Sequence, residues 1–383
     1  MPHSPTSSAH LSRRLLLAAL AFSLVPVLAG CPAKDSAGTA SAGAKKVKAG
    51  LVTDTGGVND RSFNQGAYEG MQKAQRDFGC DIKVQESKAN ADYVTNLTRF
   101  AQAGYSIVFA VGFKMQDALK EVAPRFPNVN FVIIDGDVPK LANCAAYKFR
   151  EEQGSFLAGA LAGLMTKTNT VGFIGGEQMP LIQKFEDGFK AGVKTTNPQC
   201  TVTVGYAGVF NDPQKGQELA ISQMNAKADI IFHAAGQTGV GVIKAVAAKG
   251  AGYYAIGVDR DQDAEAKGRV LTSMIKRGDV AVYQAIKSET EGAFKAGTTT
   301  VGLKEGGVSL SPMQYTKQDV PPAVMARVEE LRQQIIAGKV VPPATAAELA
   351  RFVAPKLAPV APPAPVAKGG EAGAAGKASP AAK

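Results

Sequence analysis

Tryptophan is absent from the 383-residue sequence, and only three histidines and four cysteines are present. Two of the histidines, His3 and His10, lie near the N-terminus, which leaves His233 alone in the body of the chain. A metal site with several histidine ligands is therefore excluded, and histidine-dependent acid–base catalysis would depend on a single residue. His233 follows the apolar run 230–232, and this position predicts a packed or capping side chain.

The few cysteines do not define a disulfide framework. Apart from Cys31, the chain has Cys80, Cys144 and Cys200, each on or directly before one of three separate predicted strands. An oxidising compartment permits one disulfide, but an odd number leaves a thiol over. Cys80 and Cys200 occupy equivalent places in the two halves described below, which argues against their pairing. We expect all three to be small packed residues.

Acidic residues are fewer than Lys and Arg residues, and the formal net charge is +10. This excess lies at the two ends of the chain. Residues 1–48 carry +5 and residues 355–383 carry +3, so residues 49–354 keep only +2. A nearly neutral body is poor support for a surface that follows phosphates, and nucleic acid is not expected as a partner.

The N-terminus reads as an export signal. Arg13 and Arg14 precede the apolar stretch 15–29, which is too short to span a bilayer and ends in small residues. We predict a lipoprotein signal peptide over 1–30, although a twin-arginine signal is an alternative.

The end of this signal, Leu28-Ala29-Gly30-Cys31, resembles a bacterial lipobox, in which Cys31 becomes the lipidated first residue. An ordinary signal peptide with an incidental cysteine is the alternative. Residues 31–46 then form a flexible tether rich in Ser, Gly, Ala and Lys. We predict a lipid-anchored protein of the cell membrane that faces the periplasm or the cell exterior.

The body of the chain alternates short β-rich runs with amphipathic helical stretches, a pattern typical of α/β folds with parallel, doubly covered sheets. The predicted strands are 47–54, 81–87, 105–112, 130–136, 143–149, 170–176, 201–208, 228–236, 253–259 and 270–276. The ten-residue apolar run 156–165 predicts a buried helix rather than a membrane span.

The strands form one pattern that occurs twice. In the first half, the strand ends Asp54, Gly112 and Asp135 are 58 and 23 residues apart. In the second half, Gly176, Gly236 and Asp259 are 60 and 23 residues apart. We predict two doubly wound parallel-sheet lobes that face each other across a ligand cleft, because ligands of such sheets bind outside the carboxyl ends of the strands.

We assign lobe 1 to residues 47–150 plus about 280–343, and lobe 2 to residues 151–279. A short strand near 307–310 and a helix over 322–337 are expected within the returning segment. Residues 354–383, dominated by Ala, Pro, Gly and Lys, are predicted to be a disordered tail.

The most unusual segment is Asp54-Thr55-Gly56-Gly57-Val58-Asn59-Asp60-Arg61-Ser62-Phe63-Asn64-Gln65. A strand ends on Asp, a Gly pair turns, and Ser62 or Asp60 caps a helix. This D-x-GG-x-ND-x-SFNQG pattern resembles the opening signature of the Basic Membrane Protein family of lipoproteins. Other segments that resemble the family are 112–113, 149–159, 172–176, 184–189, 257–262 and 272–276, and the likeness runs from about 47 to 343.

The resemblance implies a periplasmic-binding-protein-like type I fold and no enzymatic activity. It implies capture of a nucleoside, in particular a purine nucleoside, and its delivery to an ABC importer permease. We expect no cofactor, no metal and a monomer. The ligand-binding residues that the resemblance implies are Asp54, Asn59, Phe63, Asp135, Phe210, Gly236, Asp259 and Lys276.

In this assignment Phe63 and Phe210 stack on the base, and Gly236 permits close backbone approach. Asp54, Asn59 and Asp135 face the base, while Asp259 and Lys276 bind the sugar hydroxyls. Stacking on an aromatic ring tolerates different bases, and acceptor-only carboxylates complement N–H and hydroxyl groups. Each residue has a structural alternative as a core or capping side chain, and Phe113, Met179 and Ile182 are further candidates for the pocket wall.

Three other functions are weighed against this one. A sugar or another small polar ligand could occupy the same fold. A surface lipoprotein of adhesin type could bind macromolecules through its basic tails. A dinucleotide-dependent enzyme is disfavoured because residues 236–241 read G-x-x-G-x-G instead of the required G-x-G-x-x-G.

Overall fold

The computed structural model describes residues 46–358. The predicted signal peptide 1–30, the predicted lipidation site Cys31, nearly all of the predicted tether and residues 359–383 of the predicted tail lie outside this range. Within it, no helix has both the length and the apolar character needed to cross a bilayer.

Strands and helices alternate through most of the described chain. The strands are β1 (Lys48–Val52), β2 (Asp81–Gln85), β3 (Ile107–Val111), β4 (Asn130–Ile134), β5 (Cys144–Phe149), β6 (Thr170–Gly175), β7 (Thr201–Tyr206), β8 (Ile230–Ala234), β9 (Tyr254–Asp259), β10 (Val270–Lys276), β11 (Gly297–Val301) and β12 (Val308–Leu310). The helices are α1 (Phe63–Phe78), α2 (Asp92–Gln102), α3 (Gln116–Val122), α4 (Glu151–Met165), α5 (Pro180–Thr196), α6 (Pro213–Asn225), α7 (Thr238–Lys249), α8 (Gly278–Thr290), α9 (Pro322–Ile336) and α10 (Ala346–Arg351).

The strands form two six-stranded sheets with the same internal order. The first sheet runs β2-β1-β3-β4-β5-β11 and is parallel throughout. The second runs β7-β6-β8-β9-β10-β12, with β12 antiparallel to β10 and the other pairs parallel. The predicted α/β class and the predicted repeat of one strand pattern are confirmed. In each sheet the order reverses between its first and third strands, which is where doubly wound folds bind ligands.

The chain crosses between the sheets three times: at Arg150, at Arg277 and along 302–307. Neighbouring crossings are tied together, since Arg150 N donates to Val301 O at 2.9 Å and Arg277 N donates to Gly307 O at 2.9 Å. The segment 280–343 does not return wholly to the first sheet. Strand β11 joins the first sheet, but β12, the strand expected near 307–310, pairs with β10 of the second.

Burial follows the apolar pattern of the strands and helices. Strand β3 is buried along its whole length, and α1 turns Ala67, Met71 and Ala74 toward the core. Helix α4 is buried at 12 positions and packs closely on α5, because a Cβ at Gly159 would overlap the backbone of Phe189. The prediction of a buried helix over 156–165 is confirmed.

The one histidine and the three cysteines of the described chain are buried or half-buried. His233 is fully buried on β8, as predicted. Cys80 and Cys144 are buried, Cys200 is half-buried, and all three are free thiols in the described part of the chain. Residues 354–358, predicted as part of the disordered tail, lie against α9, where Arg327 Nη2 donates to Ala358 O at 2.7 Å.

Candidate functional site

A cavity lies between the carboxyl ends of the two sheets and contains about 570 Å³ of unfilled space, part of it open to solvent. Loops and helix starts that follow strands of both sheets contribute to its wall. The lining residues are Asp54, Gly56, Asp60, Phe63, Asn64, Gly112, Phe113, Asp135, Leu181, Ile182, Phe185, Phe210, Ala234, Gly236, Val258, Asp259 and Lys276.

The loop after β1 is organised by Asp60. Its carboxylate accepts the backbone N–H groups of Ser62, Asn64 and Gln65 at 2.9–3.1 Å, and thereby caps α1. The side chain of Asn64 then donates from Nδ2 to Asp60 Oδ2 at 3.0 Å and to Asp54 Oδ1 at 2.7 Å. The helix cap therefore holds Asp54 at the cavity wall.

Phe63 is the first residue of α1, so the cap also fixes where its ring enters the cavity. The ring lies beside Gly112, whose φ of 117° falls in a region that glycine adopts far more readily than other residues. A Cβ built on Gly112 would lie 3.7 Å from Phe63 and 3.6 Å from Asp54. Gly112 therefore fits closely beneath the carboxylate and the ring.

The second sheet brings Phe210 to the opposite wall. Its ring lies directly over Gly176, where a Cβ would overlap ring carbons, and beside Gly236, whose φ is 54°. Gly176, after β6, therefore makes room for this ring, and Gly236, after β8, lies close to the backbone of Phe210. The Nζ atom of Lys114, from the first half of the chain, lies 5.6 Å from its centroid.

Lys276, the last residue of β10, is a buried charge in the cavity wall. Its ammonium forms an ion pair with Asp135 and lies 3.4 Å from Asp259 Oδ1. Three aromatic rings surround the same nitrogen, and their centroid distances are 4.5 Å for Phe63, 5.4 Å for Phe185 and 5.7 Å for Phe149. The ammonium thus contacts groups from both sheets.

Asp135 and Asp259 hold equivalent positions at the ends of the fourth strands of their sheets. Both adopt the left-handed backbone region, with φ of 66° and 67°. Aspartate tolerates this conformation better than most residues, and such backbones cluster at ligand sites. The second carboxylate oxygen of Asp259, Oδ2, accepts a hydrogen bond from Ser62 Oγ at 2.6 Å. This bond joins the two sides of the cavity.

Burial dominates the electrostatics of the site. It raises the pKa of Asp54 above its usual range, against the hydrogen bonds from Gly56 and Asn64. It also raises the pKa of Asp60 to about 6. Burial lowers the pKa of Lys276, but the carboxylates around it raise that pKa more, so the ammonium stays charged.

Polar contacts join the two sides around the cavity. Lys114 forms an ion pair with Glu177 near Phe210. Elsewhere on the rim, Arg61 Nη1 lies 2.7 Å from Glu265 and Arg260 Nη2 lies 2.7 Å from Glu69. The structure therefore describes a closed arrangement, with the cavity covered by pairs that span the cleft.

Seven of the eight predicted ligand-binding residues line this cavity, and the eighth, Asn59, does not. Asn59 is exposed in the turn before Asp60 and faces a separate surface depression. The amide at the cavity belongs to Asn64, because the Asp60 cap turns the first residues of α1 inward. Phe113 and Ile182 line the cavity as anticipated, whereas Met179 is not among its lining residues.

Sequence reasoning missed Asp60, Asn64, Leu181 and Phe185 as lining residues. The spacing of Leu181, Ile182 and Phe185 at the start of α5 puts them on one helix face. This spacing was the available signal, but it also describes an ordinary core face.

Comparisons with known proteins agree with this geometry. Residues 46–345 match the Bmp family, described as "ABC transporter substrate-binding protein PnrA-like". The chain is similar to the CD4+ T-cell-stimulating antigen of Listeria monocytogenes, with 41% identity over 76% of this chain and 86% of that protein. It is similar to the ABC transporter nucleoside-binding protein BmpA of Lactococcus lactis, with 35% identity over 86% and 99% of the two chains. A solved ABC transporter solute-binding protein from Aeropyrum pernix K1 has 29% identity and a TM-score of 0.72, over 80% and 96% of the chains.

Proposed function

We propose, for a chain that belongs to the Bmp family of PnrA-like ABC transporter substrate-binding proteins, that the cavity between the sheets captures a nucleoside, in particular a purine nucleoside. The observation that carries this proposal is the make-up of the cavity: Phe63 and Phe210 reach it from different sheets, and the Asp135–Lys276–Asp259 cluster lies in the same space. The nucleoside-binding protein of Lactococcus lactis, similar over 86% of this chain, supports the same ligand class.

The aromatic rings suit the base. Stacking of a base on an aromatic side chain contributes about 1–3 kcal/mol and depends little on base identity. Asp54 is the matching polar group, because a carboxylate accepts from ring N–H and exocyclic amino groups. In the proposal the base lies between Phe63 and Phe210 with its edge toward Asp54.

The charged cluster suits the sugar. Asp259 and Asp135 accept from hydroxyl groups, and Lys276 donates to a hydroxyl oxygen. A site built to bind such hydroxyls discriminates strongly against analogues that lack them, since its own buried groups would lose their partners. In the proposal the ribose lies at this end of the cavity.

The wider role follows from the family. We propose that the protein is anchored through a lipidated Cys31, faces the periplasm or the cell exterior, acts as a monomer and hands its nucleoside to an ABC importer permease. Binding and release, without chemistry on the ligand, constitute the activity.

A sugar is the second candidate, and the Asp135–Lys276–Asp259 cluster is the observation that favours it, since the same groups recognise any polyol. Thermal melting of ligand-free protein separates the two, because a ligand that binds only the folded state raises its stability. Guanosine, inosine and adenosine should raise the melting temperature, and ribose and hexoses should not. A rise in the melting temperature with hexoses alone would mean that the ligand is a sugar and not a nucleoside.

A further inference from the structure

Glu151 is a fully buried carboxyl group at a crossing between the two sheets. It is the first residue of α4 and follows Arg150, where the chain leaves β5. Its Oε2 atom accepts a hydrogen bond from Lys184 Nζ at 3.1 Å, and Lys184 also donates to Phe149 O at 3.5 Å. Its Oε1 atom is buried without a hydrogen-bond partner among the described residues.

This group faces the charges of the proposed ligand site. Asp135 from the first sheet, Lys276 from β10 and Lys184 from α5 all act on it electrostatically. Asp259 contacts Lys276 from β9, and Glu152, next to Glu151 on α4, acts on Lys184. Around the ammonium groups of Lys184 and Lys276, the carboxyl groups of Asp135, Asp259 and Glu151 leave one negative charge in excess when all are ionised.

That excess favours a proton on Glu151. Burial is the main cause that raises its pKa to about 7, and the Asp135 carboxylate adds to it against the two lysines. Protonation cancels the excess charge and removes the cost of burying an ionised carboxylate whose Oε1 atom has no hydrogen-bond donor among the described residues.

We propose that Glu151 is a positioning residue that takes up a proton when the two lobes close around their ligand. This inference rests on the proposed function, in which one ligand contacts groups of both sheets. In this proposal, opening the cleft admits water to Glu151, which is fully buried in the closed arrangement, and water favours the ionised carboxylate. Closure returns Glu151 to the enclosed cluster, where the neutral form leaves Lys276 to Asp135, Asp259 and the ligand.

The sign of the pH dependence follows. Because the closed state binds the proton more tightly than the open state, ligand and proton binding promote each other. Affinity therefore falls as pH rises between the ordinary glutamate pKa and about 7, by at most about tenfold per pH unit for one proton. We expect binding about tenfold weaker at about pH 8 than at about pH 6, with up to one proton taken up per ligand.

Calorimetric titration of the full chain with guanosine, inosine and adenosine tests this. Buffers of different ionisation enthalpy at each pH count the protons taken up. Glu151→Gln keeps the shape of the side chain but does not titrate, so its affinity should change by less than about twofold across the same range. Asp187→Asn is the matched control: Asp187 is a buried carboxyl on α5, outside the cavity, with a pKa raised to about 6. This variant should keep the tenfold change.

Melting curves establish that each variant folds. The double variant Glu151→Gln/Lys184→Met removes both charges of the buried pair and should also bind independently of pH. An unchanged tenfold dependence in the Glu151→Gln variant would overturn the inference.

Failure of the proposed function is recognisable separately. If hexoses bind and nucleosides do not, the same titrations with a hexose decide the role of Glu151. If neither binds, small-angle scattering of the ligand-free chain decides it. A wild type more compact at about pH 6 than at about pH 8, with a Glu151→Gln variant that does not change, supports proton-linked closure. The same response in both proteins contradicts it.

Discussion

The two sheets share one strand order, but their strand ends carry different side chains. At the end of the first strand, the first sheet has Asp54 with Phe63 nearby, whereas the second has Gly176, over which Phe210 lies. At the fourth strand both sheets have an aspartate in the left-handed conformation, Asp135 and Asp259. The repeat therefore constrains the backbone at the cavity, whereas the side chains at equivalent strand ends differ in their chemistry.

This difference has a physical basis. Aspartate at both fourth-strand ends brings like charges to one place, and Lys276 lies between them as the compensating group. Glycine at position 176, after β6, leaves the space that the Phe210 ring occupies. We infer that the halves are equivalent in fold and unequal in recognition.

The largest effect on stability and binding is expected when the charge that contacts both halves, Lys276, is removed. Lys276→Met leaves Asp135 and Asp259 buried without compensation, and loss of one partner of a buried pair costs about 3–5 kcal/mol. We expect a large drop in the free energy of unfolding and at least about tenfold weaker nucleoside binding. Chemical denaturation and calorimetry measure both. Arg277→Met, the next residue, whose partner Asp279 is partly exposed, should have little effect on either.

His233 is a difference between the cores of the two sheets. Strand β3 of the first sheet is apolar throughout, whereas its counterpart β8 carries His233, whose pKa burial lowers to about 4. The unfolded chain binds a proton near pH 6.5, so this residue's contribution to stability is present above that pH and is lost as pH falls to about 4. The shift corresponds to about 3 kcal/mol.

His233→Leu should therefore lose less stability than the wild type on acidification from about pH 7 to about pH 4. Urea unfolding at several pH values measures the difference. Parallel pH profiles of the two proteins would contradict the assignment.

Substitution of the two aromatic rings tests whether the two halves contribute equally to binding of the base. Phe63→Ala and Phe210→Ala should each weaken purine nucleoside binding by about 1–3 kcal/mol, and each tyrosine variant should retain most of the affinity. Calorimetry with one nucleoside and its free sugar checks the assignment. Alanine variants that weaken sugar binding as much as nucleoside binding would place the rings at the sugar end.

The smallest effect is expected at the rim. The side chain of Arg61 is 58% exposed where it pairs with Glu265, and exposed ion pairs contribute about 0–1 kcal/mol. Arg61→Gln should change affinity by less than about fivefold and increase the ligand dissociation rate slightly. Stopped-flow measurements at low and high salt check this, and a larger loss would mean that the rim takes part in recognition.

Sequence reasoning reached the fold because strand spacing and apolar runs repeat at nearly equal intervals. It reached most of the cavity because parallel strands present their carboxyl ends together. It assigned Asn59 and missed Asn64, because the position of Asn64 depends on the three backbone groups that Asp60 caps. It missed β11, since Thr298, Thr299 and Thr300 lack an apolar pattern and are exposed.

Calorimetric titration of refolded, ligand-free protein with a purine nucleoside, its free base, ribose and a hexose tests the central claim most directly. The account predicts one nucleoside bound per chain, with the base and ribose each bound far more weakly, because the nucleoside alone reaches both the aromatic rings and the Asp135–Lys276–Asp259 cluster. Tight hexose binding without nucleoside binding, or no binding of any of the four, would contradict it.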